Sequence, residues 1–235
     1  MKRKINAEST VAPQNDSPVI NNGHKENEND PAKLTLLESI KKSVRGLSEK
    51  IILYAPEGWG KTTWASKAPD PVFISSEDGL KGVTVDVFPE ARSWKDVFLY
   101  IEMLRLNDHK FKTLVIDTAD WTEHLCHEFV LKQSGRKSIE EIGGGWGKGY
   151  VIAFEEWKKL LNPIDHLRRE KSMHVIFLAH SAVKTFHNPI GDDFDRWEMK
   201  TDRRVSTLLK EWSDCTLFGM FDTVVDTKVG VSKGK

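Results

Sequence analysis

The run Ala55-Pro56-Glu57-Gly58-Trp59-Gly60-Lys61-Thr62, entered from the apolar stretch Ile51-Ile52-Leu53, constrains this chain more than any other feature. It has the form AxxxxGK[ST], with alanine where a first glycine is commoner. Glycines at 58 and 60 let the backbone curl until successive N–H groups converge on one anion, and a helix leaving the loop turns its positive end to the same point. A chance glycine turn would lack the strand before it and the helix after it. The candidates for cofactor binding are therefore Ala55, Pro56, Glu57, Gly58, Trp59, Gly60, Lys61, Thr62 and Thr63. Within them Lys61 would reach the β- and γ-phosphates and the Thr62 hydroxyl would ligate magnesium. Ala55 is acceptable at the head of the loop if its φ lies below zero. Trp59 is bulky for its place, and packing over the loop or over a ribose are both open to it.

The rest of the chain must build a sheet behind this loop. Its 235 residues, 39% hydrophobic, suffice for one ordinary core. Thirty-five basic residues balance thirty-five acidic ones, so no global field draws the protein to nucleic acid or membrane, and any polyanion site must be local. Cys126 and Cys215 are too few for a disulfide framework or a zinc module, which fits a reducing compartment and a cytoplasmic location. Nowhere do about 18 apolar residues run together, so no membrane span is expected. Residues 1–33 have scarcely any large apolar side chain and are expected to form a disordered tail, with residues 34–235 as one ATPase domain. Leu34, Leu37, Ile40 and Val44 predict a helix that Gly46 stops.

Beyond that point short apolar runs alternate with helical patterns. Strands are predicted at Lys50–Tyr54, Val72–Ser75, Val83–Val87, Thr113–Ile116, His174–Ala179 and Thr216–Phe221. Helices are predicted at Lys61–Lys67, Ser93–Leu106, Trp121–Lys132 and Tyr150–Arg169, the last kinked or split at Asn162-Pro163. This alternation predicts an α/β fold with a mostly parallel sheet and helices on both faces.

Three further residues fall at strand ends. Leu114-Val115-Ile116 ends in Asp117, placed to hold magnesium beside Thr62. Glu77 follows Val72-Phe73-Ile74-Ser75 and is the preferred base for activating water, with Asp78 its competitor and a solvated turn the alternative for both. His180 ends the run before it at the same edge, within reach of a γ-phosphate, although histidines at strand ends are often only turn residues. His124, Cys126, His127, Glu123 and Glu128 superficially suggest a metal site, but Leu125 and Phe129 argue for a packed helix there.

Taken in order, these pieces resemble the RecA-like P-loop core, and more closely the phage nucleotide-binding ATPases of the single-strand-annealing recombination group. The resemblance rests on Tyr54–Thr63, Phe73–Leu80, Leu114–Thr118, Gly147–Tyr150 and Leu208–Asp214, and covers about residues 45 to 221. It implies ATP and Mg²⁺ as cofactors, Glu77 as catalytic glutamate with Lys61 beside it, Asp117 with Thr62 as the magnesium residues, and His180 as sensor of the γ-phosphate. It implies a homo-oligomeric ring or filament, single-stranded DNA as partner, and a single-strand-binding protein as a further one. Two segments correspond to DNA-facing loops. Gly143–Gly149 offers Trp146 and Lys148. Ser181–Arg204 offers Lys184, Phe186, Trp197, Lys200, Arg203 and Arg204, against which Asp192, Asp193 and Asp195 must be weighed. Members of the group usually continue past the last strand, whereas this sequence stops at Val229–Lys235, leaving a truncation or a missing DNA contact open. A P-loop kinase acting on a small molecule, and a nucleotide-gated scaffold with little hydrolysis, are the alternatives.

Overall fold

The computed structural model describes residues 48–77 and 82–222, all within the compact unit Arg45–Lys235. The expected tail, the expected helix over 34–44, Asp78 and the C-terminal stretch from 223 lie outside the described residues. Seven strands form the sheet: β1 (Lys50–Ala55), β2 (Pro71–Ser75), β3 (Asp86–Val87), β4 (Thr113–Asp117), β5 (His174–Phe186), β6 (Phe194–Met199) and β7 (Cys215–Phe218). Their order is β3-β2-β4-β5-β1-β7, every neighbouring pair on this path being parallel, and β6 runs antiparallel to the far half of β5. The apolar runs are continuous because the sheet is covered on both sides.

Alternation along the strands divides the core in two. Ile52, Ile74, Leu114, Ile116, Val175, Phe177 and Ala179 join a large cluster with α2 (Trp94–Leu106), α3 (Ala119–Ser134), α4 (Lys148–Glu170) and α5 (Arg203–Trp212). Leu53, Phe73, Val115, Ile176 and Leu178 join a smaller one with Ala65 of α1 (Lys61–Ala65). At the centre of the larger cluster Trp157 packs between Trp94 and Phe177, with ring centroids 5.4 and 6.2 Å away. Truncating so large a buried ring costs about 3–5 kcal/mol. The fold is the mostly parallel P-loop NTPase core predicted from the sequence.

Four details differ from the sequence-based expectation. Pro163 does not split α4, which is continuous over 23 residues. The missing N–H frees the carbonyl of Lys159, an exposed residue, while Trp157, Leu160, Leu161, Ile164 and Leu167 are buried along the helix on both sides of the proline. The strand expected at Val83–Val87 is only Asp86–Val87, and that at Thr216–Phe221 is Cys215–Phe218. Gly143–Gly149 is no free loop: a 3-10 turn covers Ile139–Gly144 and Lys148 begins α4.

The largest difference is the segment 181–204, expected as a loop. It is a β-hairpin, paired from Ser181↔Met199 to Phe186↔Phe194, followed by the start of α5. Most of its residues are exposed, so no apolar alternation marks it in the sequence. Cross-strand pairs hold it instead: Thr185 Oγ1 donates to Asp195 at 2.7 Å, and the Phe186 and Phe194 rings lie 5.1 Å apart. Asp193 closes the turn through His187 Nδ1 at 2.6 Å and the Asn188 N–H at 3.0 Å. Two of the aspartates that weakened the basic reading are thus structural parts of the hairpin.

Candidate nucleotide site

The cradle forms where β1 ends. Ala55 is the last residue of that strand, paired with His180 of β5, so it needs no left-handed backbone. Gly58 (φ 75°) and Gly60 (φ 97°) do, and this is why glycine stands there. The first helical bond runs from the Trp64 N–H to the Gly60 carbonyl at 2.9 Å, so the N–H groups of Lys61, Thr62 and Thr63 precede the intrahelical ladder. Lys61 arches over the loop, its Nζ donating to the carbonyls of Ala55 at 3.3 Å and Pro56 at 3.2 Å. Burial pushes its ammonium below the ordinary value, against the pull of Asp117, Asp120 and Glu77. Trp59 lies over Gly219, just past β7, and its Nε1 donates to the Met220 carbonyl at 3.2 Å, so it packs on the chain beside the loop.

Thr62 and Asp117 meet. The Thr62 Oγ1 donates to Asp117 Oδ2 at 2.7 Å, although 55 residues separate them. Asp117 is buried, and burial raises its carboxyl above the usual range while the Thr62 hydrogen bond and Lys61 oppose the rise. The peptide between Asp117 and Thr118 is cis. Thr62 and Asp117 border a cavity of about 680 Å³ that Lys61, Glu77, Trp121 and His180 also line. Among the described residues no three His, Cys, Asp or Glu side chains gather as a metal site. One hydroxyl and one carboxylate, all oxygen, suit Mg²⁺, which keeps waters and takes further ligands from phosphates.

Glu77 stands across the cavity, beyond β2. Its carboxyl is raised first by burial, then by Asp117 and Asp120, while His180 and Lys61 oppose. Ser75 fixes its backbone, the hydroxyl donating to the Glu77 carbonyl at 2.6 Å.

His180 is held by a residue that sequence reasoning missed. Asp120 Oδ1 accepts from the His180 backbone N–H at 2.9 Å, and Asp120 Oδ2 lies 2.8 Å from His180 Nδ1. Burial would raise Asp120, but the two hydrogen bonds from His180 outweigh it and hold the carboxyl below its ordinary value. With Nδ1 against Asp120, Nε2 lies on the opposite side of the ring. A signal was present: Asp120 and Glu123 fall on the same α3 stripe as Ala119, Cys126 and Val130, where a carboxylate needs a partner.

The nucleic-acid candidates divide into two groups. Trp146, Lys148, Arg203 and Arg204 are exposed, Trp146 at 98%, and Arg204 NH2 lies 3.7 Å from where a Cβ on Gly147 would stand. Arg204 is thus brought to the Trp146–Lys148 turn although more than fifty residues separate them in the sequence. The others are engaged elsewhere. Lys184 donates to the Thr201 carbonyl at 2.8 Å, the Phe186 ring lies between Phe194 and Arg196, and Trp197 stacks on Phe218. The suspected metal cluster contributes to packing: Cys126 is in the core, its thiol donating to the Ala153 carbonyl at 3.6 Å.

In comparisons with known proteins, residues 48–233 match the family described as an AAA domain. A comparison with curated proteins found no match.

Proposed function

We propose, from the premise that this chain belongs to the AAA domain family, that it hydrolyses ATP and couples hydrolysis to single-stranded DNA in recombination of the phage type. The observation that carries the ATPase reading is the 2.7 Å Thr62–Asp117 contact inside a cavity shared with Lys61 and Glu77. It unites a phosphate cradle, a magnesium seat and a carboxylate base.

Lys61 binds the terminal phosphates and offsets charge that grows on them. Thr62 and Asp117 would hold Mg²⁺, which supplies neutralisation of the phosphate oxygens when bound. Glu77, its carboxyl raised toward neutrality, accepts a proton from the attacking water. His180, anchored by Asp120 through Nδ1 and lining the same cavity, senses the γ-phosphate.

The DNA reading rests on the exposed group. Trp146 is a bare ring at a positive φ of 59°, an unfavourable backbone for a bulky side chain, flanked by glycines that also adopt positive φ. A ring that open, two residues from Lys148 and with Arg204 reaching the adjoining Gly147, suits stacking on a base with cations on the neighbouring phosphates. ATP turnover measured with and without single-stranded DNA tests both parts. Phosphate release to water that DNA accelerates favours the ATPase over a small-molecule kinase, and absence of turnover leaves the kinase without its acceptor and the nucleotide-gated scaffold. Titrating fluorescent single-stranded DNA with ATP bound tests the surface: Trp146→Ala should weaken binding by about 1–3 kcal/mol, and Lys148→Ala should flatten the salt slope by about 0.7. Unchanged binding in both variants would remove this surface as the DNA site.

A further inference from the structure

Helix α3 begins one residue beyond Thr118, directly after the aspartate strand β4, and carries two buried carboxylates three residues apart. That spacing puts both on one helical face. Asp120 takes the His180 N–H and ring, as described above. Glu123 takes the backbone N–H of Asp202 with both oxygens, at 3.1 and 3.0 Å. His180 and Asp202 are the two ends of the hairpin: the His180 carbonyl accepts the Lys200 N–H at 2.8 Å, and Asp202 caps α5 by accepting the Arg204 N–H at 2.9 Å. One helix therefore grips both the outgoing and the returning chain. Between these grips the hairpin's outer part is largely exposed, so its position relative to the cradle depends on its base.

We propose that Glu123 is a positioning residue that ties the start of α5, and with it Arg203 and Arg204, to the helix leaving the magnesium strand, so that nucleotide binding in the cradle changes the order of residues 200–206. This rests on the reading of the cradle as an ATP site. The Glu123 side chain is buried and accepts this N–H, so losing it leaves a donor unsatisfied, whereas replacing it by another acceptor of equal length preserves the bond. Glu123→Gln keeps an acceptor oxygen and Glu123→Ala removes it. A second pair of variants reaches the same bond from the other side. Asp202 has φ −54°, a value proline adopts, so Asp202→Pro deletes the donor N–H, while Asp202→Ala keeps that N–H and, like Asp202→Pro, loses the side chain's cap and its 3.7 Å ion pair with Arg204.

The test is hydrogen–deuterium exchange of the full chain with and without Mg²⁺ and ATPγS, with the affinity for ATPγS measured on each variant. In wild type, Glu123→Gln and Asp202→Ala, the ligand should slow exchange across 200–206 by about tenfold. In Glu123→Ala and Asp202→Pro that slowing should vanish while ATPγS affinity stays within about threefold, as expected for sites coupled through one element. Slowing that persists in both disrupted variants overturns the proposal, as does wild type that binds ATPγS without any change at 200–206. Wild type that fails to bind ATPγS removes the ATP reading, and this coupling with it.

Discussion

At the scale of single residues, Lys61 is the clearest test of the site. Its ammonium already bridges two loop carbonyls, and a charge-assisted contact to phosphate is worth about 1.5–3 kcal/mol, so Lys61→Ala should weaken ATP binding roughly ten- to hundredfold with the fold intact. Calorimetric titration checks it. Glu77→Gln should keep ATP binding and slow hydrolysis by about 10² to 10⁴, because it removes a positioned base. Since burial raises the Glu77 carboxyl, the wild-type rate should rise with pH as that group ionises and Glu77→Gln should lose this limb, which a pH–rate profile reads. Glu123 gives a separate prediction about stability. Burial pushes its carboxyl up to about 7, from an ordinary 4.5. Between those values the folded state holds a proton that the unfolded chain releases, so stability falls as pH rises, by on the order of 3 kcal/mol across the window. Chemical denaturation at pH 5 and pH 8 should show this difference, and Glu123→Gln should remove Glu123's share of it, leaving the smaller slope of the other raised carboxyls, Glu77 and Asp117.

At the scale of elements, the joint between the 3-10 turn and α4 admits no extra atom. A Cβ on Gly149 would stand 2.1 Å from the Ile139 carbonyl oxygen, a backbone atom, so Gly149→Ala should displace the turn and cost about 1–3 kcal/mol, read as a lower thermal midpoint. This scale also shows which elements the sequence revealed. β1, β2, β4 and the first half of β5 were legible because they are apolar without interruption, and the cradle was legible because its glycines, lysine and threonine stand next to one another. The hairpin was not, because a strand pair in solvent is specified by its ladder and turn and leaves no apolar period. Asp120 escaped, and Glu123 stood out only as part of a suspected metal cluster, for another reason. Each looks like a solvated helix charge until its partner, 60 or 79 residues away, is brought beside it.

For the whole molecule, the decisive property is incompleteness of charge at the cavity. Lys61 is the one lysine or arginine lining it among the described residues, and a second cation at the transition state is typically worth about 10³ to 10⁵ in rate. Lys200, Arg203 and Arg204 are exposed and available to a neighbouring copy of the chain. If such a copy supplies the second cation, light scattering should detect oligomers and turnover per subunit should fall on dilution to monomers; constant turnover through that range would contradict it. The sheet adds a mechanical consequence. β5 lies between β1, which leads into the cradle, and β4, which ends in Asp117, then continues six residues beyond His180 as one side of the hairpin. Six residues of extended chain span about 20 Å, so a tilt of about 5° at the base sweeps the far end through about 2 Å. A small tilt of β5 beside the cradle would therefore be enlarged along the hairpin into a displacement that can make or break a hydrogen bond at its tip.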